Sequence, residues 1–180
     1  MVYRYRRRRP VLVRSRCIVV DEAGRILMQR EENGVYSIPG GRLEWDETIP
    51  FCAVRELREE AGIEVTPLRL VYVVEVIYVR RGFSRHEVLF YFLCRHRGDP
   101  RPSFQGLEFH WVRPEDVEGL FWPPPLLERI KEDHPEYRRS YFLVYVDDRL
   151  TFINRLEEGY GLEKVLMAMG DAEKTGNSDG

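Results

Sequence analysis

Lysine is almost missing from this chain. Of its 28 basic residues only Lys131, Lys164 and Lys174 are lysine, and nothing in the functional reading accounts for that bias. Cysteine is scarce as well. Cys17, Cys52 and Cys94 are odd in number and show no Cys-x-x-Cys spacing, which argues against a disulfide framework and a zinc site and points to a reducing cytoplasm. His86, His96, His110 and His134 show no metal-ligand spacing with one another. No apolar run follows the N-terminal arginines as a secretory leader requires, and none approaches the roughly 20 residues needed to span a bilayer. Charge of one sign is not in excess either. A net charge of −2 argues against whole-protein attraction to nucleic acid or to an anionic membrane. Internal repeats are absent.

What is present is ordinary for a globular protein: 180 residues, 43% hydrophobic and 32% charged, enough for one domain with an appendage. Residues 1–10 interleave Arg4 and Arg6–Arg9 with Tyr3 and Tyr5, a basic arm that can grip nucleic acid or an edge strand with no such role. Val11–Val20 alternates, with Val11, Val13, Cys17 and Val19 on one side and Arg14 and Arg16 on the other, which predicts a half-buried strand. Asp21–Gly24 reads as a turn and Arg25–Arg30 as a second strand. Further on, Leu70–Arg81 is a β-branched and aromatic run, and Arg80–Arg85 reads as a basic turn around Gly82. Glu87–Cys94 is apolar enough for a central strand buried on both faces. Glu108–Val112 reads as a short strand, Pro114–Val117 as a brief helix, Leu126–Asp133 as a helix behind three prolines, and Tyr137–Val146 as a strand. Leu150–Met169 has amphipathic helical spacing. The division expected is residues 1–146 as the main domain, 147–170 as a helical appendage and 171–180 as a disordered tail.

One stretch, Gly41–Ile63, organises the rest. Its second half predicts a helix, with Thr48 as N-cap, Pro50 in the first turn and Gly62 as the left-handed residue past the end. Val54, Leu57 and Ala61 form an apolar arc. Glu56 and Glu60 lie one above the other, with Glu59 on the adjoining strip. Like charges at that spacing cost about 0.2–0.5 kcal/mol each, and the carbonyl end of a helix repels anions. Two readings fit: a solvated acidic face with an Arg55–Glu59 pair, or carboxylates whose missing countercharge is a hard divalent cation.

Gly41, Glu47, Arg55, Glu56, Leu57, Glu59, Glu60, Gly62 and Ile63 reproduce, position for position, the signature of the Nudix hydrolases. A chance match in the chain is on the order of one in a million. The resemblance implies an α/β/α sandwich with a mixed sheet, the signature helix on one face and the Leu126 helix on the other. It implies hydrolysis of a pyrophosphate bond in a nucleoside diphosphate linked to another group: a nucleotide triphosphate, a sugar nucleotide or a dinucleoside polyphosphate. The cofactor implied is Mg²⁺, with Mn²⁺ as a substitute. Glu56, Glu59 and Glu60 are the implied metal ligands and catalytic groups, Glu56 being a ligand or the base that orients water. The Gly40 carbonyl and Glu108 complete the implied metal set. Gly41, Gly62 and the Glu47–Arg55 salt bridge support the site.

Tyr36, Trp45, Tyr78 and Phe83 are candidates to stack on a nucleobase, or they belong to the core. The family often has Trp where Tyr36 stands. The coenzyme A motif of some relatives is absent upstream of Gly41. Val71–Val79 lacks the proline of one ADP-ribose-cleaving group, while Tyr78 lies near a tyrosine found in dinucleoside polyphosphate cleavers. A second reading is a binding module on the same fold that senses a nucleotide or, through Tyr3–Arg9, an RNA end. The C-terminal segment can pack on the core or make a homodimer contact.

Overall fold

The computed structural model describes residues 10–80, 83–101, 107–146 and 149–156, apart from the side chains of residues 79, 80, 83, 84, 151, 152 and 154. The basic arm at residues 1–9, most of the C-terminal segment and the tail therefore lie outside the described residues.

Two long strands, β5 (Glu64–Arg80) and β6 (Phe83–Arg97), pair antiparallel and form the spine. The register shifts between Pro67 and Arg69, next to a proline that has no N–H to give the ladder. Strand β1 (Leu12–Val19) joins β6 in parallel, and β4 (Gly40–Arg42) joins β1 antiparallel. On the far side β8 (Tyr141–Val146) runs parallel to β5, and β9 (Arg149–Arg155) closes the row in the order β4-β1-β6-β5-β8-β9. A smaller sheet, in the order β3-β2-β7, consists of β3 (Tyr36–Ser37), β2 (Ile26–Arg30) and β7 (Glu108–Val112).

Alternation along the strands feeds two separate cores. Cys17 and Val19 of β1 pack with Ala53 and Leu57 of helix α1 (Ile49–Glu60) and with Ala61 at its C-cap. The intervening Ile18 packs with Leu126, Leu127 and Ile130 of helix α2 (Pro124–Asp133). The expected α/β/α sandwich is thus present, each helix covering one face. Burial of a side chain such as Leu57 or Ile130 contributes about 1.5–3 kcal/mol. Tyr72 ties α2 down further, donating its hydroxyl hydrogen bond to Asp133 Oδ2 at 2.8 Å.

Helix α1 starts and stops where its sequence dictates. Thr48 is extended at the N-cap, although its side chain makes no capping bond; the Cys52 N–H reaches the Thr48 carbonyl at 3.0 Å. Gly62 takes φ +66° and turns the chain out of the helix.

Three expectations are corrected. Leu150–Met169 does not begin as a helix: Arg149–Arg155 is strand β9, because alternating residues next to an open sheet edge gain ladder hydrogen bonds that an isolated helix face lacks. The turn predicted at Arg80–Arg85 is shorter, since Arg80 and Phe83 already pair and Arg85 lies within β6. Arg14 and Arg16 do not face open solvent. Arg16 is buried, and Arg14 is half-buried against an internal carboxylate.

Candidate active site

Strand β4 carries two glycines with different tasks. A Cβ on Gly40, at φ +134°, would stand 2.2 Å from the Ser15 carbonyl oxygen, so glycine is required for β4 to lie against β1. A Cβ on Gly41 would stand 2.2 Å from Glu56 Cδ. The space left by that missing side chain is filled by the Glu56 carboxylate.

Arg55 organises the loop before the helix. Its Nε donates to Glu47 Oε2 at 3.0 Å, and its Nη2 to Glu47 Oε1 at 2.8 Å and to the Arg42 carbonyl at 3.1 Å. Nη1 lies 3.1 Å from Glu56 Oε1 and 3.2 Å from Glu59 Oε2. The guanidinium beside Glu47 draws that carboxyl down to about 2 and raises the affinity of Arg55 for its own proton.

The three signature carboxylates are not equivalent. Glu59 is 59% exposed and satisfied by Arg55. Glu56 and Glu60 line a cleft of about 420 Å³. Glu60 Oε2 is buried without a hydrogen-bond partner. Burial, with the Glu56 charge second, pushes the Glu60 carboxyl up to about 7, and burial likewise raises Glu56. Glu60 with its orphaned oxygen, and Glu56 beside it with one oxygen on Arg55, fit a hard divalent cation, and Gly40 lines the same cleft. Among the described residues no three His, Cys, Asp or Glu side chains converge into a preformed metal cage.

The same cleft is lined by Arg14, Arg16, Arg42 and Arg85, with Trp122 among the lining residues. Arg16 Nη1 donates to the Ile38 carbonyl at 2.7 Å, and burial lowers its pKa from the ordinary value.

Other predicted residues lie elsewhere. Glu108 sits opposite Arg30 in the β2–β7 register, where its Oε2 is 3.3 Å from both Arg30 Nη1 and His110 Nε2. It is not among the residues that line the cleft. Short β7 belongs to the smaller sheet, and its charged partners hold that side chain at the surface. Tyr36 packs edge-on to His110 at 6.1 Å, and Trp45 is 96% exposed. Tyr78 accepts a hydrogen bond from Trp122 Nε1 at 3.1 Å. None of these three aromatics lines the cleft, and the Phe83 side chain lies outside the described residues.

Sequence reasoning missed Glu87 and Trp122. Glu87 sits in the central strand with its side chain wholly buried, 3.1 Å from Arg14 Nε and 2.8 Å from Arg85 Nη2. The available signal was an acid directly before the apolar run Val88–Leu93.

The sandwich thus brings the Glu56 and Glu60 carboxylates and four guanidiniums onto one cleft. Residues 11–141 match the NUDIX domain model. The chain is 36% identical over 102 residues to a MutT-like protein of Streptomyces ambofaciens, a match covering 56% of this chain and 62% of that protein. It is 32% identical over 139 residues to an isopentenyl-diphosphate Delta-isomerase of Cereibacter sphaeroides, covering 69% of this chain and 71% of that one. The crystal structure of a MutT mutator protein from Bacillus halodurans superposes with a TM-score of 0.64 at 23% identity, over 83% of this chain and all of that one. The chain therefore belongs to the NUDIX domain family.

Proposed function

We propose that this Nudix hydrolase cleaves the pyrophosphate bond of a nucleoside diphosphate linked to another group, with Mg²⁺ as its cofactor and Mn²⁺ as a substitute. The observation that carries the reading is the Glu60 carboxylate in the cleft, whose Oε2 is buried with no hydrogen-bond partner among the described residues. Such a group costs stability unless a cation joins it.

Glu56, Glu60 and the Gly40 carbonyl, with Glu59 at the rim, are the groups that would hold the ion. When bound, it supplies charge neutralisation at the phosphoryl oxygens and Lewis-acid polarisation of the attacked phosphorus. The chain's own residues do the rest. Arg14, Arg16 and Arg85 hold the substrate's phosphate oxygens against the cleft wall, which aligns the scissile bond. A cleft carboxylate that does not hold the ion takes the proton from the attacking water as the bridging oxygen leaves on phosphate, and Glu56 is either that base or a ligand of the ion. Arg55 keeps Glu56 in position through its 3.1 Å contact and the Glu47 fork.

The similarity to an isomerase of isopentenyl diphosphate raises a second chemistry. A hydrocarbon tail calls for an apolar pocket, and the lining here is Arg, Gln, Glu, Asn and Gly, with only Val35 and Trp122 apolar. That composition favours a polar substrate. Three free, buried cysteines suit a reducing cytoplasm. No helix among the described residues is long and apolar enough to cross a membrane.

The test is release of phosphate, pyrophosphate or nucleoside monophosphate across normal and oxidised triphosphates, ADP-ribose, other sugar nucleotides, dinucleoside polyphosphates and isopentenyl diphosphate. Mg²⁺-dependent release from a nucleotide, lost by several orders of magnitude in Glu60→Gln, is expected. No release from any nucleotide, or near-normal turnover in that variant, refutes the reading.

A further inference from the structure

Helix α1 covers only part of its side of the large sheet. On β5, β6 and β8 the residues that face α2 are buried at every step, among them Val74, Val76, Leu89, Tyr91, Leu143 and Tyr145. Their alternates on the other side, Val73, Ile77, Val88 and Val146, are only half-buried and belong to neither core. Register sets them side by side: Ile77 stands between His86 and Val146, and Glu75 is opposite Val88. Helix α1 packs on this side further along, against Val65, Phe92 and Cys94 with Leu70 and Phe90 at its margin. No helix among the described residues lies over the remainder. Its two charged groups already satisfy each other, His86 Nε2 lying 2.6 Å from Glu75 Oε1, so covering the face strands neither.

We propose that this face is the docking surface of the chain's own C-terminal segment, which lays the stripe Leu162, Val165, Leu166 and Met169 across β5 and β8 as a helix beside α1. Those four residues recur at the i, i+3, i+4 and i+7 spacing of one helix face, while Glu163 and Lys164 fall outside it. The route is short. Strand β9 is the last of the sheet, and the Leu156 N–H still bonds to the Ser140 carbonyl at 3.0 Å, so the segment leaves next to the start of β8. Residues 157–161, with glycine at 159 and 161, reach up to about 17 Å, whereas neighbouring strands are about 5 Å apart. A tethered stripe also meets the face at a local concentration that a second copy of the chain does not match. The inference stands apart from the hydrolase reading, since it concerns a face that carries none of the cleft residues.

The test uses the full chain. His86 lies on the proposed surface, and His110, 42% exposed on the smaller sheet, serves as an internal reference. Carbethoxylation by diethyl pyrocarbonate, read by mass spectrometry, gives the ratio of their labelling rates. Leu166→Asp is expected to raise the His86 to His110 ratio about fivefold and to lower the melting temperature by about 4 °C or more. Met167→Asp, in the same segment but off the stripe, leaves both near native. Should Leu166→Asp not fold, Leu166→Ala shows a smaller rise in the same direction. A ratio unchanged in the stripe variants, or raised equally by Met167→Asp, overturns the proposal. A native ratio that climbs on dilution, as light scattering follows a dimer into monomers, overturns it in favour of a second copy on this face.

Discussion

Arg55 holds Glu47 through two parallel contacts, Nε to Oε2 at 3.0 Å and Nη2 to Oε1 at 2.8 Å, and the same guanidinium touches Glu56 at 3.1 Å. A planar fork can serve all these partners at once; an ammonium cannot. Arg55→Lys therefore keeps the charge but frees the loop and lets Glu56 drift. The expected cost is about 1–3 kcal/mol of stability and at least roughly tenfold in kcat/KM. Urea unfolding and steady-state kinetics check both; a variant with native kinetics would show that the fork does not position Glu56.

The same pair sets an acid limit. Hydrogen bonding from Arg55 holds the Glu47 carboxyl at about 2, below its ordinary 4.5. A depressed folded value means the contribution is complete above the unfolded value and is lost as pH falls from 4.5 toward 2. Thermal unfolding of the native protein should weaken over that window. Glu47→Gln should be less stable at neutral pH and converge on the native protein near pH 2.

Adjacent glycines should fail in opposite ways. Gly40→Ala drives a Cβ into the Ser15 backbone oxygen, which cannot move without parting β4 from β1, so the fold is expected to suffer. Gly41→Ala meets the end of a flexible glutamate, which can swing aside at small energetic cost. Its melting temperature should stay near native while Mg²⁺ affinity and turnover fall. Differential scanning fluorimetry beside magnesium titration separates the two; a native Mg²⁺ affinity in Gly41→Ala would remove Glu56 from the metal site.

Much of this was legible in the sequence for a local reason. The signature spans a loop, a helix and its stop within 23 residues, so the helix, Glu56 and Gly62 are readable from local pattern, and the Glu47–Arg55 pair from the resemblance to the family. The strand at Glu108–Val112 was also readable, from its length and flanks, yet not its sheet, because pairing with β2 rather than β6 is a long-range choice. Arg14 and Arg16 look like a solvent face by alternation. What buries them is β4 and the Glu87 carboxylate, which come from 24 to 73 positions away. β9 was misread because its apolar spacing serves helix and strand alike until a sheet edge is there to pair with it. Helix geometry puts Glu56, Glu59 and Glu60 on neighbouring strips, but only packing decides that Glu60 loses its water while Glu59 stays exposed.

That lost hydration gives the sharpest expectation. Glu60 titrates near 7 rather than 4.5 because burial, and then Glu56, disfavour its charge. A raised folded value means that the folded state holds the proton more tightly. Stability therefore falls as pH rises from 4.5 to 7 and stays lower above that. Glu60→Gln removes the penalty, so in EDTA at pH 8 the variant should be more stable than the native chain by about 1–2 kcal/mol after allowance for solvent screening. Below pH 4 the two should match. Adding Mg²⁺ should reverse the order at pH 8, since binding to the folded state alone stabilises the native chain and not a variant that lacks the ligand. Thermal unfolding at two pH values, with and without the ion, reads all four corners. If the variant is no more stable in EDTA, or gains as much from Mg²⁺ as the native protein, then Glu60 is not the strained carboxylate that calls for a cation.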